Sequence, residues 1–178
     1  MRLRQLCLLL MLAAPMVNAT RPATAQAGRP TPGVPRRAPN FVRLDLNHRK
    51  VELSAYRGKV VLLNFWATWC GPCLTEMPHF ATWQQEYRER GLQVIGISMD
   101  DDAQPVRAAY QKLKLNYPVV MGDEKIGEMY GGVLGLPVTF LIDTKGKIRH
   151  KHQGAADIKT IESEIRGLLA AHGTSSRP

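Results

Sequence analysis

Cysteine is scarce in this chain: Cys7, Cys70 and Cys73 are the three in 178 residues. That excludes a small scaffold stapled by several disulfides, because two residues three apart close no long loop. Aromatic residues make up 7% and are not interleaved with a basic stripe, which argues against a stacking platform for nucleic acid. No Asp or Glu precedes Asn40, whereas Arg2, Arg4, Arg21, Arg29, Arg36 and Arg37 do. Removing those six from the formal +9 leaves +3 for residues 40–178. The basicity therefore belongs mainly to the leader and tail, and no nucleic-acid partner is expected. No internal repeat is visible. What is present is a 44% hydrophobic chain of a length that suits one compact domain with extra segments.

The first residues have the order of a secretory signal peptide. Arg2 and Arg4 start it, an apolar run covers 6–17, and a small-residue exit follows at Val17-Asn18-Ala19. Later exits stand at Ala23-Thr24-Ala25 and Ala25-Gln26-Ala27. The run falls short of the ~20 residues a spanning helix needs. An uncleaved leader would tether the protein to the membrane. Cys7 lies mid-run and follows no lipoprotein-type site, so the mature chain keeps Cys70 and Cys73. Residues 20–39 hold Pro22, Pro30, Pro32, Pro35 and Pro39 among Ala, Gly and Arg, the composition of a linker. The expected organisation is a signal peptide over 1–19 (ending as late as 27), a linker over 20–39 and a domain over 40–178. An extracytoplasmic, periplasmic-type location follows.

Within the domain, alternation over 41–46 and again over 51–53 predicts a hairpin around a polar turn at 47–50. The apolar run 60–66 predicts a central strand buried on both faces. Helical spacing follows from Pro72 to about Arg90, with Pro72 suited to the first turn, Pro78 expected to kink the helix and Gly91 to end it. A second buried strand is expected over 92–98. Asp100-Asp101-Asp102 offer caps for a helix over 103–113. A short extended piece at 116–120, a helical turn at 126–130, strands at 139–143 and 148–152 and an amphipathic helix over 157–172 complete the pattern. That order implies an α/β fold with a mixed central sheet and helices on both sides.

Trp69-Cys70-Gly71-Pro72-Cys73 sits between the buried strand and the first long helix. Free N–H groups and the positive end of the helix dipole stabilise a thiolate at Cys70. Cys73 lies one turn further in, placed to attack a mixed disulfide and release product. The spacing alone leaves a structural disulfide or half of a zinc site open. A zinc site needs a second ligand pair, and His48, His79, His150, His152 and His172 show none of the usual spacings. His150 and His152 alternate along a strand and read as solvated side chains. No metal and no organic cofactor are expected.

Asn64-Phe65-Trp66-Ala67-Thr68-Trp69-Cys70-Gly71-Pro72-Cys73 resembles the active-site strand and motif of thioredoxin-like proteins, and more narrowly of the TlpA/ResA-like branch of exported thiol–disulfide oxidoreductases. The segments 53–59, Glu76-Met77-Pro78 and 135–143 extend the resemblance over about 39–172. The resemblance implies a thioredoxin-like fold with an N-terminal β-hairpin and a central helical insertion over about 100–134. It also implies disulfide reduction by the Cys70–Cys73 pair, with Pro137 as a cis proline facing the sulfurs. Trp69, Gly71, Pro72, Leu136 and Pro137 are then the substrate-binding surface, with the backbone at Leu136 free to pair with a substrate strand. Asn64 stands where thioredoxin has a buried Asp and cannot titrate. The branch points instead to Glu76, whose partial burial would raise its pKa and suit it to proton transfer. Leu74, where the branch often has a basic residue, is a departure. The implied partners are protein substrates with disulfides or cysteine pairs, such as apocytochrome c or a copper-delivery protein, and a membrane thiol electron donor. The enzyme is expected to act as a monomer. A disulfide-forming oxidase and a copper-binding chaperone on the same fold are the alternatives. The chaperone would need a wider cysteine spacing plus a His, and a peroxidase a lone reactive Cys.

Overall fold

The computed structural model of the chain describes residues 37–175. The signal peptide read over 1–19, its later exits and the linker up to residue 36 lie outside the described residues. Residues 37–39, read as the linker's end, pack on the domain. Ala38 is buried and its N–H donates to the Gly146 carbonyl at 3.0 Å, and the Pro39 carbonyl accepts from the Tyr130 hydroxyl at 2.8 Å.

Among the described residues, seven strands and four α-helices follow the expected order. They are β1 (Val42–Leu44), β2 (Lys50–Glu52), β3 (Val60–Trp66), α1 (Gly71–Tyr87), β4 (Leu92–Ser98), α2 (Ala103–Lys112) and β5 (Val119–Met121). Then come α3 (Glu124–Met129), β6 (Val138–Ile142), β7 (Ile148–Gln153) and α4 (Ile158–Ser175). β1 and β2 form an antiparallel hairpin, and the main sheet has the order β5-β4-β3-β6-β7. β3 is parallel to β4 and antiparallel to β6, so the sheet is mixed. With α2, β5 and α3 occupying the stretch 100–134, this is a thioredoxin-like fold carrying the hairpin and the helical insertion.

β3 is central because every one of its residues is apolar or paired and buried. Its side chains alternate between two cores, as strand geometry dictates. Val60, Leu62 and Trp66 join Met77, Phe80 and Trp83 of α1 and Ile161 and Ile165 of α4. Val61, Leu63 and Phe65 join Phe41, Leu53, Ile126 and Tyr130 on the other face. At about 1.5–3 kcal/mol for each large apolar side chain buried, both layers are strongly held to the sheet. The strand that ends at the motif is therefore anchored on both faces.

Several boundaries differ from the sequence expectation for local reasons. Leu53 does not extend β2. It opens a short 3₁₀ helix over Leu53–Tyr56, favoured by the Ser54 hydroxyl donating to Glu52 Oε1 at 2.6 Å. The first strand shortens to three residues because Asp45 turns back, its carboxylate accepting from the N–H groups of Asn47 and Arg49 at 2.8 Å each. Asp143 leaves β6 in the same way, holding the next turn through Lys145 N and Lys147 N. β5 starts at Val119, since Pro118 has no N–H to give the ladder. α3 starts two residues early, capped by Asp123 accepting from Ile126 N at 2.8 Å. α1 begins at Gly71 and runs through Pro78 without interruption. It gives way to a 3₁₀ turn over Arg88–Arg90, closed by Gly91 at φ 98°, a left-handed position that suits glycine. α4 begins at Ile158, with the Asp157 carboxylate accepting from Thr160 N at 3.2 Å.

Candidate active site

β3 delivers the chain to the motif at its carboxyl end, and the loop between β3 and α1 is tightly held. The Asp100 carboxylate accepts from Thr68 N at 3.0 Å, from the Thr68 hydroxyl at 2.6 Å and from the Ser98 hydroxyl at 2.7 Å. Met99 N donates to the Trp66 carbonyl at 2.8 Å. By sequence, Asp100 is one of three candidate helix caps. The cap is Asp102, which accepts from Gln104 N at 2.9 Å, and Asp100 braces the active-site loop instead.

Cys70 is the N-cap residue of α1, in extended backbone, and its sulfur accepts from Cys73 N at 3.3 Å. Gly71 and Pro72 form the exposed first turn. Cys70 and Cys73 are joined by a disulfide, with Cα atoms 5.3 Å apart. Cys73 is wholly buried and Cys70 is 5% exposed. A reagent therefore reaches Cys70 first, and a thiolate there has an N–H donor and the helix dipole already in place. Trp69, 71% exposed, stands beside the pair in sequence as an unusually open apolar side chain.

The Leu136–Pro137 peptide bond is cis. Pro137 is buried, Leu136 half-buried, and the Pro137 carbonyl accepts from Gly154 N at 2.8 Å. Leu136 packs against both cores.

Asn64 is buried on β3 and donates through Nδ2 to the Thr139 hydroxyl at 3.0 Å. It carries no titratable proton. Glu76, one turn beyond Cys73 on α1, is buried, 4% exposed, and its Oε1 accepts from Ala156 N at 3.0 Å. Burial pushes the Glu76 carboxyl above the usual carboxylate range, opposed by the Ala156 N–H and by His152 and His79. It is not an exposed carboxylate decorating a helix start.

The raised pKa makes a stability statement with a definite sign. A carboxyl whose folded pKa lies above its unfolded value adds stability below the unfolded pKa and loses it as pH rises through the folded pKa. Replacing Glu76 by Gln removes that loss. Chemical denaturation across pH should show the Glu76→Gln protein gaining on wild type as pH rises above the ordinary carboxylate pKa of about 4, with the two curves keeping a constant offset below it. Parallel curves across the whole range would mean that Glu76 titrates as an ordinary surface acid.

Among the described residues no cluster of three or more His, Cys, Asp or Glu is arranged to hold a metal ion. His150 and His152 are not free solvated side chains: His150 Nδ1 lies 2.9 Å and His152 Nε2 2.7 Å from the two carboxylate oxygens of Glu164. Sequence reasoning misses this pairing and the role of Asp100.

A paired Cys-X-X-Cys at a helix N-terminus, with a cis proline leading into the neighbouring strand, has close relatives. The AhpC/TSA family matches residues 34–151. The thiol–disulfide oxidoreductase ResA of Bacillus thuringiensis subsp. konkukian is 37% identical over 133 residues, covering 74% of this chain and 76% of that protein. ResA of Geobacillus thermodenitrificans is 33% identical over 167 residues, 93% of this chain and 94% of that one. Among solved structures, a thiol:disulfide interchange protein of the thioredoxin family from Chlorobium tepidum superposes with a TM-score of 0.70 at 26% identity, over 76% of this chain and 97% of that one. With a matching family, homologues of that length and a disulfide at the motif, the chain belongs to the AhpC/TSA family as a ResA-like, thioredoxin-fold thiol–disulfide oxidoreductase.

Proposed function

We propose that the protein is exported and reduces disulfides of extracytoplasmic proteins, with Cys70 as nucleophile, Cys73 as resolving thiol and Glu76 as the proton acceptor for Cys73. The observation that carries this reading is the asymmetry of the pair: Cys70 at the helix cap with 5% of its surface exposed, Cys73 wholly buried one turn in.

In the reduced enzyme the Cys70 thiolate attacks one sulfur of a substrate disulfide. A mixed disulfide forms, and the first substrate sulfur leaves as a thiolate that takes a proton from water. Cys73 then gives its proton to Glu76, and its thiolate attacks Cys70 Sγ. The mixed disulfide breaks, the second substrate thiolate leaves and is protonated, and the Cys70–Cys73 disulfide forms. Two electrons pass from enzyme to substrate. A thiol donor in the membrane restores the dithiol. Substrate is held as an extended strand against the backbone at Leu136 and Pro137 and the exposed faces of Trp69, Gly71 and Pro72. The exposed Trp69 offers that strand a large apolar surface.

The substrates favoured by this reading are exported proteins whose cysteines must be reduced before use, including haem-attachment cysteines of apocytochrome c and cysteines of copper-delivery proteins. A monomer suffices, since both sulfurs, Glu76 and Pro137 come from one chain. The export step rests on residues 1–27. A reporter enzyme that is active only outside the cytoplasm, fused after residue 39, is expected to become active. Deleting residues 1–19 should abolish that activity. A full-length fusion that stays inactive while being stably made would contradict export.

A further inference from the structure

The end of β7 is tied to three separate elements at alternate residues. His152 Nε2 meets Glu164 Oε2 of α4 at 2.7 Å. Two residues on, Gly154 N donates to the carbonyl of Pro137 at 2.8 Å. Two residues further, Ala156 N donates to Glu76 Oε1 of α1 at 3.0 Å. The stretch 152–156 thus links the proline loop to the buried carboxyl one turn beyond Cys73 on α1. Within it, His152 supplies a side-chain anchor to α4. On its other flank His152 is the register partner of Thr139, whose hydroxyl receives Asn64 Nδ2 at 3.0 Å.

We propose that His152, fixed by Glu164, is a positioning residue for Glu76: it holds the 152–156 strap so that the Ala156 N–H stays on the Glu76 carboxylate. The proposal rests on the reading of Glu76 as proton acceptor for Cys73.

His79 on the same helix and His152 on β7 are the histidines whose electrostatic influence reaches Glu76. Glu164 is shared, one oxygen to each of His150 and His152, and is 21% exposed. Burial pushes His150 below the usual histidine range against the pull of Glu164. Lys151 is directed elsewhere, over the Phe140 ring at 5.7 Å. His152 is the better sheltered of the two histidines, 18% exposed against 37% for His150. An ordinary exposed ion pair contributes little. This one differs because the backbone it fixes carries the donor for a buried carboxylate, and a buried acceptor left without its donor is costly.

The test follows the Glu76 carboxyl by carbon NMR across pH in the full mature protein, and the rate of the resolving step by stopped flow. His152→Ala removes the anchor. The Glu76 titration should move up by about half a pH unit or more, and resolution should slow about threefold below that titration. His152→Gln keeps a donor for Glu164 without an ionisable ring and should recover part of the shift. Glu162→Gln, which alters the Tyr87 contact on the same helix, should leave the titration in place. If Glu76→Gln abolishes the pH dependence of resolution but His152→Ala leaves the Glu76 titration unmoved, the positioning role is wrong and Glu76 still accepts the proton. If Glu76→Gln leaves that pH dependence intact, Glu76 is not the acceptor and the role of His152 falls with it. Should His152→Ala fail to fold, His152→Gln carries the test alone: an upward shift supports the proposal, and an unmoved titration overturns it.

Discussion

The Cys73→Ser protein should trap its substrate as a stable mixed disulfide through Cys70, while Cys70→Ser should trap nothing. Multiple-turnover reduction should fall about a thousandfold or more in either variant, because the two sulfurs act as one unit. The order of attack comes from position. Cys70 is the N-cap of α1 and the partly exposed member of the pair, and its sulfur already accepts from Cys73 N. Cys73 has no exposed surface and can react only with a sulfur brought to it by Cys70. The check is non-reducing gel analysis with mass spectrometry of the linked peptide. Adducts through residue 73 in Cys70→Ser, with none through residue 70 in Cys73→Ser, would reverse the assigned roles.

Asp100→Ala should damage both stability and the active-site loop. Its carboxylate receives the Thr68 N–H, the Thr68 hydroxyl and the Ser98 hydroxyl. Hydrogen bonds to a charged acceptor contribute roughly 1.5–3 kcal/mol, and the donors left behind lose their partner in a partly buried place. A loss of about 2–4 kcal/mol in chemical denaturation is expected on that basis. The effect on function has a separate origin. Thr68 lies two residues before Cys70, so a loosened loop no longer presents the cap sulfur in one geometry. Attack by Cys70 on a model disulfide should slow about tenfold, since misplacement of reacting groups is expensive even over short distances. Asp100→Asn keeps one acceptor oxygen and should retain part of both quantities. An Asp100→Ala protein as stable and as fast as wild type would show that β3 and α1 alone hold the loop.

What is legible in the sequence is whatever depends on near neighbours. The run 60–66 declares a two-faced strand because nearly every position favours burial, and the structure buries all seven. The motif declares a helix start because Pro72 and Gly71 suit a first turn, and Cys70 does cap the helix. The loop geometry ahead of it is not legible, because Thr68 and Asp100 are 32 residues apart and an Asp after a strand looks like any helix cap. Glu76 and Ala156 are 80 apart, so burial of the carboxyl follows from resemblance while its donor has no sequence signal. His150 and His152 read as solvated because alternate polar residues on a last strand usually are. Glu164, on a helix packed over that strand, makes them partners. The sequence does hold a hint: Glu164 stands next to Ile165 on the apolar side of the final amphipathic pattern, close to the core.

The central claim is that this pair runs as a reductant, and the reduction potential of the Cys70–Cys73 couple tests it most directly. The Gly71-Pro72 spacer is that of thioredoxin, whose potential is about −270 mV, against about −120 mV for the oxidant DsbA. Equilibration of the mature protein against glutathione or dithiothreitol buffers at about pH 7, read by thiol labelling, gives the value. A potential within about 40 mV of thioredoxin is expected. A value near that of DsbA would mean that the pair introduces disulfides instead of removing them, and would contradict the account.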